Sequence, residues 1–446
     1  MRQRTRIWGW SLPPFTFVVG VLVVFAGMPA TDAAAGSQPV ATWVRHNATP
    51  VTTVDPTAPL DDLEPLRQSI GDAEIVGLGE SVHGAAEEIS LKHRTLRFLV
   101  EEMGFRSVAW EEDWATGRQI DRYIRTGDGD LDALVRQMSP QWQSREVADV
   151  LQWLRDYNAG HDDQVQFVGV EYYLTGQPAY AAIDAYVAST APERLAELRE
   201  HLQVIRPATP NIFEHIQSIA SVPDKQPSID EARAVLALVE GLPHEPDDRA
   251  HALAVQQARQ IVSFYEHFSL PEDEALVYRD AHAAENLRWW HDFTGDTIAY
   301  WAASPHTANA PDLRIARPPD PDMRFPSAGS YLRRWYGPAY LSIGFTFDHG
   351  TVSLGGEETA AMPQPAPAWF ERPLAATGID QFILDLRAPA PPPVQDWLTS
   401  PLSTRGLPNF GPDSFIDGGT LAQWFDVIVH RQEVTPVRSL DGDASR

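Results

Sequence analysis

Residues 74–113 constrain the fold of this chain more than any other stretch: EIVGLGESVHGAAEEISLKHRTLRFLVEEMGFRSVAWEED. An apolar run of Ile75, Val76 and Leu78 stops at Gly79, and Glu80 and His83 follow in a glycine-bounded turn. Ile89, Leu96, Leu99 and Met103 then recur at helical spacing, which predicts a helix from about Ala85 to Met103. A second apolar run, Val108 to Trp110, ends in Glu111 and Glu112. Strand, polar loop, helix and strand make a βαβ unit. Its ionisable residues fall just past the C-terminal ends of both strands, where open parallel sheets bind ligands. Lys92 lies on the apolar stripe, four residues after Glu88. A lysine on a core-facing stripe must be paired, with Glu88 the nearest partner, or directed into a cleft.

The rest of the chain extends this unit. A helix over Ser144 to Tyr157 leads to a strand, Val165 to Val170, that ends in Glu171. Three successive strands thus each deliver a carboxylate to one sheet edge: Glu80, Glu111 and Glu171. Residues 176–270 read as helices without strands, a helical insertion suited to a lid. A long helix from Asp273 to Phe293 carries Arg279, Asp280 and Asn286 on or beside its apolar stripe, so polar groups point inward. The next strand, Thr297 to Ala302, runs into His306 at the edge that also holds His83. Strands at Tyr340 to Phe347, Gln381 to Leu386 and Phe425 to His430, with a hairpin partner after His349, complete the sheet. The fold class expected is α/β: a central, mostly parallel sheet flanked by helices, with an inserted all-helical subdomain. The divisions are a signal peptide at 1–35, a linker at 36–60, catalytic body at 61–175 and 271–436 around the insertion, and a tail at 437–446.

Arg2, Arg4 and Arg6 precede an apolar run, Phe15 to Met28, and then small residues, the order of a secretory signal cleaved near Ala33 to Ala35. The run is short for a membrane span of about 20 residues. A secreted or cell-envelope protein with no stable membrane partner is the expectation; an uncleaved anchor is the alternative. The formal charge of −26 argues against nucleic acid, which demands a basic face. There is no cysteine, so thiolate metal sites, disulfides and cysteine nucleophiles are excluded.

A histidine in a loop flanked by carboxylates has a definite chemistry. Water attack on an ester at neutral pH needs a base that titrates near 7, and imidazole does so unperturbed. A carboxylate on its other ring nitrogen fixes the tautomer and stabilises the imidazolium; Glu80 or Glu111 could serve His83 so. Donors for the oxyanion would be His306, Lys92 or the free N–H groups at the helix start, Gly84 to Ala86. No serine sits in a G-x-S-x-G setting. Two other readings stay open: Glu80, His83, Glu111 and His306 holding a divalent metal, and a secreted binding protein that has lost turnover.

The strings GESVHG, LKHRTLRFLVEEMGF, YRDAHAAEN, GSYLRRWYGPAYLSIGFTF, FILDLR and FDVIVHRQEVTP, with the segment around His306, resemble the erythromycin esterase family in the family's order. The resemblance covers most of residues 61–436. It implies a hydrolase, independent of metal or other cofactor, that opens a macrolactone by histidine-activated water, an antibiotic-resistance activity. It also takes in members named for succinoglycan biosynthesis. It places Glu80, His83, Glu111 and His306 at catalytic positions and matches Lys92 and Glu171 to positions beside them; together with Arg279, Asp280 and Asn286 from the inward-pointing helix, these two are the expected substrate-binding residues. Five positions depart from the pattern, Ser304 and Pro305 among them. Lys92 stands where the antibiotic-cleaving members carry arginine, Ala303 replaces the first histidine of a WA-x-x-x-H segment, and Glu171 stands where aspartate is common. His282 is the side chain expected to fill the space left at Ala303. The partner implied is a small-molecule ester or lactone.

Overall fold

The computed structural model describes residues 30–356 and 358–440; the apolar run from Phe15 to Met28 lies outside them. Its centre is a nine-stranded sheet. In chain order eight of its strands are Thr49–Pro50 (β1), Ile75–Glu80 (β2), Ser107–Asp113 (β3), Gln166–Glu171 (β4), Ile298–Ala303 (β5), Tyr340–Gly355 (β6), Gln381–Asp385 (β7) and Val427–Val434 (β8). In space they run β1-β7-β8-β6-β2-β5-β3-β4, and Glu358–Met362 pairs antiparallel onto the far end of β6. The six strands from β8 to β4 are mutually parallel, while β7 and β1 pair antiparallel at the edge. The chain is α/β with a mostly parallel sheet, as the strand and helix periods predict.

Side chains alternate across the sheet with the two-residue period of a pleat. Val76, Leu78, Val108, Trp110 and Trp301 pack on one face against Leu96 and Leu99 of the helix Ala86–Met103 and Leu151 of the helix Arg145–Gly160. Ile75, Ala109, Tyr300 and Val168 pack on the other against Leu287 and Trp290 of the helix Glu272–Thr294. With both faces covered, the strands are buried along nearly their whole length, as parallel sheets require. Between β4 and the helix Glu272–Thr294 lie five α-helices and no strand, gathered around their own apolar cluster of Tyr180, Ile183, Leu198, Leu202, Val235 and Phe264.

Three features depart from the sequence reading. Residues 36–60 are folded: the helix Ala30–Asn47 buries Val40, Trp43 and Val44 against Leu374 and Phe382, and β1 pairs with β7. The polar, proline-rich composition hides that short apolar stripe. The described start of the expected tail, up to Leu440, is anchored as well: Ser439 bridges to Ser144, and Leu440 is buried. Finally, a second, four-stranded antiparallel sheet joins Pro401–Arg405, Phe415–Thr420, Leu313–Arg317 and Asp320–Phe325. Its strands are short and rich in Pro, Arg and Asp, so no apolar alternation announces them. No helix among the described residues is long and apolar enough to cross a membrane.

Candidate active site

At the C-terminal edge of the parallel strands lies a cavity of about 430 Å³. His83, Glu111, Ala303 and His306 form its floor at the strand ends, with Arg279 and Tyr173 beside them. The second sheet supplies an apolar wall of Ile315, Met323 and Phe325, continued by Leu407 and Pro408. The hairpin tip Ser353 to Gly356 and the C-terminal residues Val437 and Ser439 close the remaining side.

Glu80 is the last residue of β2 and His83 follows three residues later. The Glu80 carboxylate accepts from His83 Nδ1 at 2.8 Å, which leaves Nε2 without a hydrogen-bond partner among the described residues. The His83 side chain is 26% exposed and Glu80 is fully buried, so the ring reaches the cavity while its partner stays behind it. The ring is held edge-on against Trp142, with centroids 4.6 Å apart. Lys92 closes the pair from behind: its ammonium bonds to the other Glu80 oxygen and to the Ala302 carbonyl at 3.3 Å, over the Trp301 ring. Burial alone would raise the Glu80 carboxyl, but Lys92 and His83 overcome it and hold it below the ordinary carboxylate range. Lys92 is therefore paired with Glu80 rather than Glu88, and it does not line the cavity.

Glu111 reaches the cavity through a bulge. Between Trp110 and Asp113 the pairing with β4 slips by one residue, so β3 spends three residues where β4 spends two. Such an extra residue bends a strand and re-aims its side chains. Glu111 then meets Arg279 Nη2 at 3.0 Å and the Ala303 amide at 3.0 Å, while Glu112 turns to Ser139. Gly169 of β4 makes room: a Cβ there would sit 2.2 Å from the Asp113 carbonyl oxygen.

His306 is clamped between two carboxylates. Asp280 accepts from Nδ1 at 2.9 Å, and Nε2 lies 3.3 Å from Glu111. Burial opposes charge on the ring, yet Asp280 and Glu111 push it up to about 10, so it is an imidazolium at neutral pH. Conversely, burial would raise Glu111, but His306, with His83 and Arg279, holds it well below the ordinary carboxylate range. Arg279 is bidentate on Glu171, at 3.0 and 2.8 Å, and lies over the Tyr173 ring at 4.4 Å. Its Nη1 has no hydrogen-bond partner among the described residues.

The structure thus gathers Glu80, His83, Lys92, Glu111, Glu171, Arg279, Asp280 and His306 into one connected cluster. Glu171 and Asp280 hold Arg279 and His306 from behind and do not line the cavity. Asn286 is not in it: its amide binds the Val170 carbonyl and Gln260, joining the sheet to the helical segment. His282 does not fill the space at Ala303; its ring stacks on Tyr278 and its Nδ1 binds the Tyr278 carbonyl. The helix-start amides are not all free, since Ala86 N donates to Thr435 where the chain returns after β8. Sequence reasoning missed Tyr173, two residues past the third strand-end carboxylate, whose position there was the available signal. It also missed Trp142, for which no pattern pointed to the loop.

A family model for erythromycin esterase matches residues 100–434. The chain belongs to the erythromycin esterase family. Erythromycin esterase type II of Escherichia coli is 34% identical over 134 residues, which are 30% of this chain and 32% of that protein. The chain therefore spans about a third of that relative in alignment. Two solved structures match over nearly the whole fold. One is a Bacillus cereus protein, with TM-score 0.77 and 27% identity over 90% of this chain and 98% of that one. The other is a succinoglycan biosynthesis protein, with TM-score 0.78 and 25% identity over 92% and 100%. The open conformation of an erythromycin esterase mutant, EreC, shares the fold, with TM-score 0.68 and 16% identity over 89% and 99%.

Proposed function

We propose that the chain is a carboxylic ester hydrolase, in which His83 activates water against the ester or lactone carbonyl of a small molecule. One observation carries the reading: a histidine on the cavity wall with one ring nitrogen fixed on a buried carboxylate and the other unpartnered. With Nδ1–H donating to Glu80, Nε2 holds a lone pair for the proton of water, and Glu80 stabilises the imidazolium that forms. That proton then passes to the leaving alkoxide. The Arg279 guanidinium and the His306 imidazolium supply positive charge for the tetrahedral oxyanion, already in place before the reaction. Glu111 orients both.

The test is His83→Ala against wild type on a panel of p-nitrophenyl esters, simple lactones and erythromycin. Loss of turnover by at least about a hundredfold is expected; wild-type turnover by His83→Ala would remove it as the base. A second reading has an observation of its own. Ligand atoms of Glu80, His83 and Glu111 lie within 4.8 Å of one another, close enough to share a divalent metal. Against it, both Glu80 oxygens already bind His83 and Lys92. Stoichiometric metal in the purified protein, with activity lost to a chelator and restored by metal, would favour it. We also propose export through the Arg2-to-Met28 signal; intact Met1 on the mature protein by mass spectrometry would defeat that.

A further inference from the structure

Between Glu80 and His83 the chain has only Ser81 and Val82 in which to turn, yet the two functional side chains must end up face to face. One carboxylate holds that turn. Glu88 Oε1 accepts from the Ser81 hydroxyl at 2.8 Å and the Ser81 amide at 3.3 Å, and Oε2 accepts from the Val82 amide at 3.3 Å. Glu88 lies in the first turn of the helix Ala86–Met103, is 1% exposed and does not line the cavity. Its bonds reach back past the helix start to residues six and seven earlier, so it ties down the loop and not the first turn of its own helix.

The setting makes this placement costly without a function. A buried carboxyl is stable only where donors surround it. Here burial and the nearby Glu80 favour the protonated carboxyl, while Lys92 and Arg405 sit near enough to favour its charge. The neighbouring Glu87 takes the ordinary alternative, bonding at the surface to the Thr435 amide and hydroxyl. Glu88 instead spends both oxygens on the two residues that separate the base from its partner.

We propose that Glu88 is a positioning residue for hydrolysis: by holding Ser81 and Val82 it sets the contact between Glu80 and His83, and it touches no substrate. The inference rests on the reading of His83 as the base. Misplacing a reacting group by about 1 Å costs on the order of a hundredfold in rate, so the loop that carries the base is where a buried anchor has leverage.

Glu88→Gln and Ser81→Ala, in the full chain, test it with two readouts. One is turnover of p-nitrophenyl butyrate. The other is the ring titration of His83, followed by NMR of ¹⁵N-histidine-labelled protein and assigned with His83→Ala. Glu88→Gln is expected to lower kcat about ten- to a hundredfold at nearly constant KM and to move the His83 titration downward. Ser81→Ala, which keeps the Glu88 carboxyl and removes its shortest bond, is expected to lower kcat about three- to tenfold. A folded Glu88→Gln protein with wild-type kcat and wild-type titration, even if less heat-stable, would overturn the proposal. Should Glu88→Gln not fold, wild-type kcat and titration in Ser81→Ala would do the same. Should His83→Ala keep wild-type turnover, the base reading fails separately, and the His83 titration alone decides whether Glu88 sets the contact between Glu80 and His83.

Discussion

His306 and His83 are both histidines at the same sheet edge, yet their surroundings give them opposite tasks. His83 has one carboxylate and one open nitrogen; His306 has a carboxylate on each side. A ring held near 10 cannot serve as a base at neutral pH; it is a cation on the cavity floor, where the proposed hydrolysis would place the ester carbonyl. Asp280→Asn removes one of the two carboxylates, so the His306 ring should lose its proton at lower pH. If its charge stabilises the oxyanion, the alkaline fall of kcat/KM should begin at lower pH in Asp280→Asn than in wild type; an unmoved limb would deny His306 that part. Glu111→Gln has a different signature. The amide would present a donor where Arg279 and the Ala303 amide already donate. Activity should drop by about a hundredfold or more at every pH, measured as kcat on the same ester.

Strand ends are where the sequence is most legible, because an apolar run that stops on a carboxylate marks both a buried strand and the edge it faces. Glu80, Glu111 and Glu171 were readable on that rule, and Arg279 and Asp280 on the rule that a polar residue on an apolar helical stripe needs a partner inside. The same rule misassigned Asn286, since an inward-facing amide can serve helix packing as well as a pocket. The second sheet left no such trace: the pairing of Leu313–Arg317 with Phe415–Thr420 joins residues about a hundred apart through backbone groups that every residue carries. The bulge at Glu111 was equally hidden, being a property of two strands in register rather than of either alone. It does leave a test at this scale. Gly169→Ala would drive a methyl group into the Asp113 and Glu112 carbonyls. It should cost about 1–3 kcal/mol of stability in urea unfolding, with a loss of kcat because the displaced strand end carries Glu111. A variant as stable and active as wild type would mean that the bulge does not depend on this close approach.

Across the whole molecule, the buried ionisable groups set how stability depends on pH. Burial raises Glu88 and Glu112 to about 8 and Asp113 to about 7, and the paired carboxylates raise His306 to about 10. Each binds its proton more tightly folded than unfolded, so its contribution is complete below the ordinary value of 4.5, 3.8 or 6.5 and is lost as pH rises through the folded one. Glu80 and Glu111, held low, act the other way: their contribution is present above 4.5 and is lost as pH falls below it. The two sets meet in mildly acid solution. A formal charge of −26 adds self-repulsion on the alkaline side, where every carboxylate is ionised. The urea midpoint should therefore be greatest near pH 5 and decline steadily to pH 9, by at most about 1.4 kcal/mol per pH unit for each titrating group. Glu112 isolates one contributor, because its carboxyl meets the Asp113 amide, the Ser139 amide and the Ser139 hydroxyl and stands apart from the His83 loop. Glu112→Gln cannot titrate, so its stability curve should be flatter than that of wild type between pH 4.5 and 8 and parallel to it above. A curve parallel to wild type throughout would show that Glu112 keeps the same proton affinity folded and unfolded, and that the alkaline decline belongs to His306 and the net charge.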